Sequence, residues 1–523
     1  MRLDRRHFLV LSALALSGCA ATPPTPTASP SASPSLLPTP TPTTPAPDWA
    51  GLRQALGERL LRPEDAAFTD RARTENPRFD GSEPLALVRA ANEDDVRTAI
   101  AFARTHALPL DVRSGGHHYG GDSAGGGGDS GRPAALVLDL RDLAEVTVDP
   151  VARTVRIGPG ASLARVYAAV AEHGLALGAG SCATVGAAGL ILGGGVGVLG
   201  RSFGLAADQL LGVRIVTGDG ELREAAHEAE PDLFWACRGG GGGLLGVVTE
   251  LTVELRAAPE VTMFTLVWPS ALAVRVIDAW QRWAPEADAQ LWSTLKLLGG
   301  RRHGRELALT VSGAWTGPAE GLDAALAGLR DALPAPSRTQ INPRSYGDAM
   351  ARYGGCAGVD AAACHTGPGG ALARESFAAT SSIGTTRLSP IQIDTLIDAV
   401  GRTAQTPGVI EGGVALDALG GVIAAVPADE SAFPHRNALC TAQYTAVFDD
   451  GSASETFDAA VRDMRERMRP AWGEGAYVNY PDAAIADPAS AYFGGNAPRL
   501  ATLAARFDPD RVFAATQLGG RTR

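Results

Sequence analysis

Three glycine-dense blocks constrain this chain more than any other feature. RSGGHHYGG spans residues 113–121, GAGSCATVGAAGLILGGGVGVLGRSFG spans 178–204, and RGGGGGLLGVVTEL begins at Arg238. Glycine at this density builds neither helix nor strand interior, but it lets the backbone come close to a ligand. With no Cβ in the way, successive N–H groups can converge on an anion. A strand running into SGGHHYGG therefore predicts a phosphate cradle, and three converging blocks predict a grip on a long diphosphate ligand. The plainer reading, a surface loop, suits SAGGGGDSG at 123–131. In the second block Gly195, Gly197 and Gly200 satisfy G-x-G-x-x-G, with Asp219 beyond. That triplet follows a glycine-rich turn instead of the strand of a β-α-β unit, which argues against a nicotinamide dinucleotide fold.

The texture around these blocks alternates. PLALVRA reads as a strand, DDVRTAIAFARTHA as a helix and LPLDVRS as a strand, a β-α-β unit that delivers the chain into the first block. ALVLDL, EVTVD and TVRIGPG follow as strands. SLARVYAAVAEHG reads as a helix with Ser162 as cap and Gly174 as stop. GVRIVTGDGELREA is a hairpin about Asp219-Gly220, and GVVTELTVEL is a strand. Further on, TMFTLVWP, ELALTVSGAW and GGVIAAV read as antiparallel strands, with SALAVRVIDAWQRWA and PIQIDTLIDAVGRTA as helices between them. ETFDAAVRDMRERM is a last long helix, and a short one ends in FDPDRVF.

The ends and the charge narrow the function class. Arg5-Arg6 before an apolar run looks like a twin-arginine export signal, and Leu16-Ser17-Gly18-Cys19 resembles a lipobox, whose cysteine receives a lipid. Residues 20–47 are Pro/Thr/Ser/Ala repeats that cannot bury a core and read as a tether. The net charge is −11, and the basic residues, all arginine except Lys296, form no blocks. Nucleic acid is not an expected partner. No C-x-x-C pair exists, so no metal site is expected. Cys356 and Cys364 lie close in a loop-like stretch, either as a disulfide or as two thiols; Cys237 and Cys440 sit among apolar residues.

RSGGHHYGG, GSCATVG, DLFWACRGGGGGLLGVVTEL, YVNYPD and AYFGGNAPRLATLAARFDPDRVF, in this order, resemble the berberine bridge enzyme-type FAD-linked oxidases. The resemblance runs from about residue 79 to 520. It implies an α+β architecture: a two-part FAD-binding domain of the p-cresol methylhydroxylase type at 48–257, and a substrate domain of antiparallel sheet covered by helices at 258–445. A segment at 446–523 returns to complete the site. It implies covalent FAD, held through His117 to the 8α-methyl carbon and through Cys182 to C6. Ala183 stands where the motif has proline, and His118 is incidental. Arg113, Ser114, Gly115, Gly116, Tyr119, Gly120, Thr184, Val185, Gly186, Gly189, Gly246, Val248, Tyr477, Asn479 and Asn496 are the other expected cofactor residues. Val185 occupies the position linked to oxygen access, and Asn496 is expected at the flavin's pyrimidine edge.

Tyr480 matches the family's general base, Asp417 the carboxylate that assists it, and Gln443 a substrate contact. A free phenol titrates near ~10 and is a poor base without a partner for its proton. The expected reaction moves hydride from a hydroxyl-bearing carbon of a sugar, oligosaccharide or glycosylated metabolite to the flavin, with dioxygen reduced to hydrogen peroxide. Oxidative ring closure of an alkaloid or polyketide, a dehydrogenase of the same fold, and a non-catalytic surface lipoprotein are the alternatives. Membrane attachment is expected only through the lipid on Cys19.

Overall fold

A computed structural model describes residues 46–513 and 516–520. The export signal, the lipid-bearing Cys19 and the tether up to residue 45 lie outside the described residues. The architecture is α+β, with sheets of four and five strands and a two-stranded ribbon, Leu175–Ala176 with Arg256–Ala257, beside a large sheet of seven.

In the first sheet, Ala86–Arg89 and Leu110–Arg113 are parallel, but Leu136–Asp139 lies between them and pairs with both. Asn92 caps the connecting helix Glu93–Thr105 through a bond from the Asp95 N–H, as an N-cap asparagine does. Arg113 ends its strand at the edge of the glycine run. It is fully buried, and donates to the carbonyls of Ser123 and Arg71, with Asp139 Oδ2 at 3.9 Å. Arg71 and Arg141 also converge on the Asp139 carboxylate. Arg113 thus braces the base of the loop, and it does not line the cleft that the loop borders.

The second sheet is antiparallel, in the order Val146–Asp149, Thr154–Ile157, Gly246–Glu254, Leu210–Thr217, Leu222–Ala226. The hairpin about Asp219-Gly220 forms as expected, with Gly220 at φ +87°. The helix Leu163–Ala171 starts at Ser162 without a side-chain cap bond. Its first turn is tied instead to the second glycine block, where the Leu163 and Ala164 N–H groups donate to the Val185 and Ala183 carbonyls.

The third sheet has seven antiparallel strands: Arg338–Arg344, Val261–Trp268, Ala308–Trp315, Leu291–Gly299, Val409–Ala418, Cys440–Phe448 and Ser376–Gly384. Strand alternation gives it two unlike faces. Leu295, Leu297, Val414, Leu416, Ala442 and Tyr444 share a core with the helices Ala273–Trp283, Pro390–Gln405 and Ser454–Trp472. The alternate positions Thr294, Lys296, Asp417, Thr441 and Gln443 fall on the opposite face. GGVIAAV is no strand. Gly420 and Gly421 take φ of +91° and +55°, and the apolar residues after them make the one-turn helix Val422–Ala425.

Candidate active site

The three glycine blocks meet in one cleft of about 400 Å³. Gly115 and Gly116 come from the first, Gly186 and Gly189 from the second, and Gly241, Gly242, Gly243 and Gly246 from the third. The first two blocks touch backbone to backbone: a Cβ on Gly115 would lie 2.3 Å from the Gly186 nitrogen, and one on Gly186 would lie 2.3 Å from the Gly115 nitrogen. Only glycine permits that approach. The N–H groups of Gly115, Gly116 and His117 bond to no acceptor among the described residues. They are free to serve a ligand anion, the arrangement a diphosphate needs. Apolar walls from Val112, Leu140, Leu192, Val247 and Val248 suit a flat ring system. The residues present therefore fit a flavin dinucleotide.

The G-x-G-x-x-G triplet has another task. A Cβ on Gly197 would sit 1.8 Å from the Ala179 carbonyl oxygen, so these glycines serve close chain packing, and they do not line the cleft.

His117 and Cys182 both face the cleft. The Thr184 hydroxyl lies 2.9 Å from His117 Nε2 and 3.7 Å from Cys182 Sγ. It also donates to Glu75 Oε1 at 3.3 Å. Burial lowers the His117 pKa, against the pull of the Glu75 charge, and burial raises that of the Cys182 thiol. Ala183 is buried against the disulfide Cys356–Cys364, so those two cysteines are paired.

In the same cleft, Tyr119 and Tyr480 stack in parallel, with ring centroids 5.3 Å apart and planes 3° apart. Gln443 Nε2 donates to Tyr119 Oη at 2.7 Å, and Phe377 meets Tyr119 edge-on. Burial pushes both phenols well above their ordinary value, and the nearby Asp417 charge adds to this. Asp417 does not line the cleft; burial raises its pKa, while the neighbouring Thr294 hydroxyl and the Lys296 charge pull it down. No bond joins Asp417 to Tyr480 among the described residues. Gln443 is the polar side chain in direct contact with the tyrosine pair.

Ser114, Val185, Gly189, Val248 and Asn479 line the cleft as expected. Five expected cofactor residues do not: Arg113, buried beneath the first block, Thr184, whose hydroxyl reaches the lining residues His117 and Glu75 from behind, and Asn496, Tyr477 and Gly120. Asn496 Nδ2 is spent on the carbonyls of Ala428 and Ser431, which ties down a loop away from the cleft. Tyr477 is buried with its Oη accepting from the Gly195 and Val196 N–H groups, so it braces the second block from behind. Gly120 packs beside the His118 ring, outside the cleft. Glu75 and Phe377 are lining residues not singled out from the sequence, whereas Gly241, Gly242 and Gly243 were expected only as part of the third block. The glycines had a compositional signal; Glu75, in an ordinary polar stretch, had none.

Residues 84–226 match the FAD binding domain family, and residues 476–517 match the berberine and berberine-like family. The chain is 31% identical over 471 residues to the uncharacterized FAD-linked oxidoreductase YvdP of Bacillus subtilis, covering 89% of this chain and 98% of that one. It is 28% identical over 464 residues to the monolignol oxidoreductase AtBBE-like 13 of Arabidopsis thaliana, covering 83% of each. The fold superposes on a chitooligosaccharide oxidase with a TM-score of 0.76 at 22% identity, over 88% of this chain and 97% of the other. Cleft, sequence kinship and fold together make this chain a FAD-linked oxidoreductase of the berberine bridge enzyme-like family.

Proposed function

We propose that the chain is an oxidase acting on a hydroxyl-bearing carbon of a sugar or oligosaccharide. The observation that carries this reading is the stacked Tyr119–Tyr480 pair with Gln443 bonded to it, lining a cleft built from glycine. FAD, when bound, supplies a two-electron acceptor that dioxygen restores with release of hydrogen peroxide. The protein supplies proton handling and orientation. Tyr480 takes the substrate hydroxyl proton. Because burial keeps Tyr480 a neutral phenol, it must give up its own phenolic proton as it takes the substrate's, and Asp417 is the carboxylate whose charge reaches it. Gln443 and Tyr119 orient the substrate, and Val185 leaves room for oxygen. His117 and Cys182 tether the cofactor covalently. His117 Nε2 is engaged by Thr184, so Nδ1 is the ring nitrogen on offer. Residues 1–19 direct export, and Cys19 carries a lipid that holds the enzyme at the outer face of a bacterial membrane.

The solved oxidase of chitooligosaccharides with this fold supports the sugar reading. A second reading, an aromatic alcohol, has support in the monolignol oxidoreductase relative and in the Phe377 edge beside the tyrosine pair. A panel of mono- and oligosaccharides and of aromatic alcohols, assayed for peroxide with the purified yellow protein, separates the two. Peroxide from sugars alone is the expected result. Peroxide from aromatic alcohols alone selects the second reading, and a yellow protein that no panel member bleaches overturns both.

A further inference from the structure

Glu75 is held in place with unusual care for a residue outside any motif. Its N–H donates to the Gly116 carbonyl at 3.2 Å, and Asn76 beside it reaches across to the Phe377 carbonyl at 2.8 Å. Its carboxylate is largely buried and takes two threonine hydroxyls, Thr184 on Oε1 at 3.3 Å and Thr366 on Oε2 at 2.8 Å. Oε2 also stands 3.7 Å from His117 Nε2.

A carboxylate only accepts hydrogen bonds, so Thr184 spends its one proton on Glu75. Its oxygen is then left to accept, and the His117 Nε2 at 2.9 Å must carry the proton. The chain Nε2–H to Thr184 to Glu75 fixes the imidazole in one tautomer, with a lone pair on Nδ1. A nucleophile, a hydroxyl that relays and a carboxylate that orients the relay form the arrangement by which proteins activate a neutral nucleophile.

We propose that Glu75, acting through Thr184, is the positioning residue that activates His117 for covalent flavin attachment. The proposal rests on the His117 tether read above. In the attachment a bond forms between His117 Nδ1 and the 8α-methyl carbon, while one methyl C–H bond and the imidazole N–H bond break. The imidazole proton leaves from Nε2 through Thr184 to Glu75. Two electrons and two protons in all leave on dioxygen as hydrogen peroxide, so the step consumes one dioxygen per link and needs no other oxidant.

The test uses full-length protein carrying Cys182→Ala, so that His117 is the only remaining tether. Glu75→Gln, Glu75→Asp, Thr184→Val and Thr184→Ser are added singly. Total flavin is read from the visible absorbance, and attachment from the mass of the peptide containing His117 over a time course with added FAD. Glu75→Gln and Thr184→Val are expected to bind flavin and turn yellow, yet to attach it on the order of 10²-fold more slowly, the range of one lost acid–base group. Glu75→Asp and Thr184→Ser, which keep the carboxylate and the hydroxyl, are expected to recover most of the rate. Attachment at the parent rate in both Glu75→Gln and Thr184→Val overturns the relay. A parent protein whose His117 peptide carries no added mass overturns the tether itself, and is distinguishable because it needs no variant.

Discussion

At the residue scale, the tyrosine pair shows what sequence can and cannot supply. Tyr480 was legible because YVNYPD matches a family motif, and Gln443 because CTAQYT matches a family substrate contact. That the two meet through Tyr119, three hundred residues away, depends on tertiary packing that no local pattern encodes. Asn496 was misplaced for the same reason: an asparagine near the chain end has four hydrogen-bonding sites, and the carbonyls at 428 and 431 claimed its donors. Tyr480→Phe is expected to lower kcat by roughly 10²–10⁴-fold with the flavin still bound, read from peroxide release against absorbance. Asp417 is needed as the carboxylate, and its pKa is raised. Turnover should therefore fall as pH drops through a value above the ordinary carboxylate range, and Asp417→Asn should abolish that acid limb in a kcat–pH profile.

At the element scale, the glycine blocks were readable one by one because composition alone marks them. Their convergence came from the packing of the elements that feed them, the strand Leu110–Arg113 before the first block and the helix Pro231–Cys237 before the third. The short helix at 422–425 was misread because four apolar residues carry no period. Gly115→Ala is expected to cost the protein its flavin: the new Cβ meets the backbone of Gly186 at 2.3 Å, and neither side can give way as a flexible side chain could. The measurement is the ratio of visible to ultraviolet absorbance of the purified variant. Beneath the first block, burial opposes ionisation of Asp139, but Arg141, Arg113 and Arg71 outweigh it and hold its pKa well below the usual range. A depressed carboxylate contributes stability above its unfolded pKa of about 4, and that stability is lost as pH falls towards the folded value. Asp139→Asn, which strands buried arginines, should destabilise by about 3–5 kcal/mol at neutral pH in a denaturant melt, with the acid-dependent part of the loss removed.

At the scale of the whole molecule, the large sheet explains why the substrate end is polar and the helix end is not. Alternation sends leucine and valine to the helices, and Lys296, Asp417 and Gln443 to the other side. That division was only partly visible in the sequence, where Leu291–Gly299 and Val409–Ala418 carry glycine and charge among their apolar residues. For the proposed anchor, Cys19→Ala is expected to move the protein from the membrane to the soluble fraction on fractionation, with its flavin content unchanged. The disulfide at 356–364 has a consequence of its own. It is packed on Ala183, where the family motif carries proline. Stiffness that a ring would lend from within the loop arrives here as a clasp pressed on from outside. Cys356→Ser is expected to reduce linkage at Cys182 more than at His117, by peptide mass. Such a clasp fastens only where thiols are kept oxidised, so the firmness of the cleft's wall becomes a record of the compartment in which the chain matured.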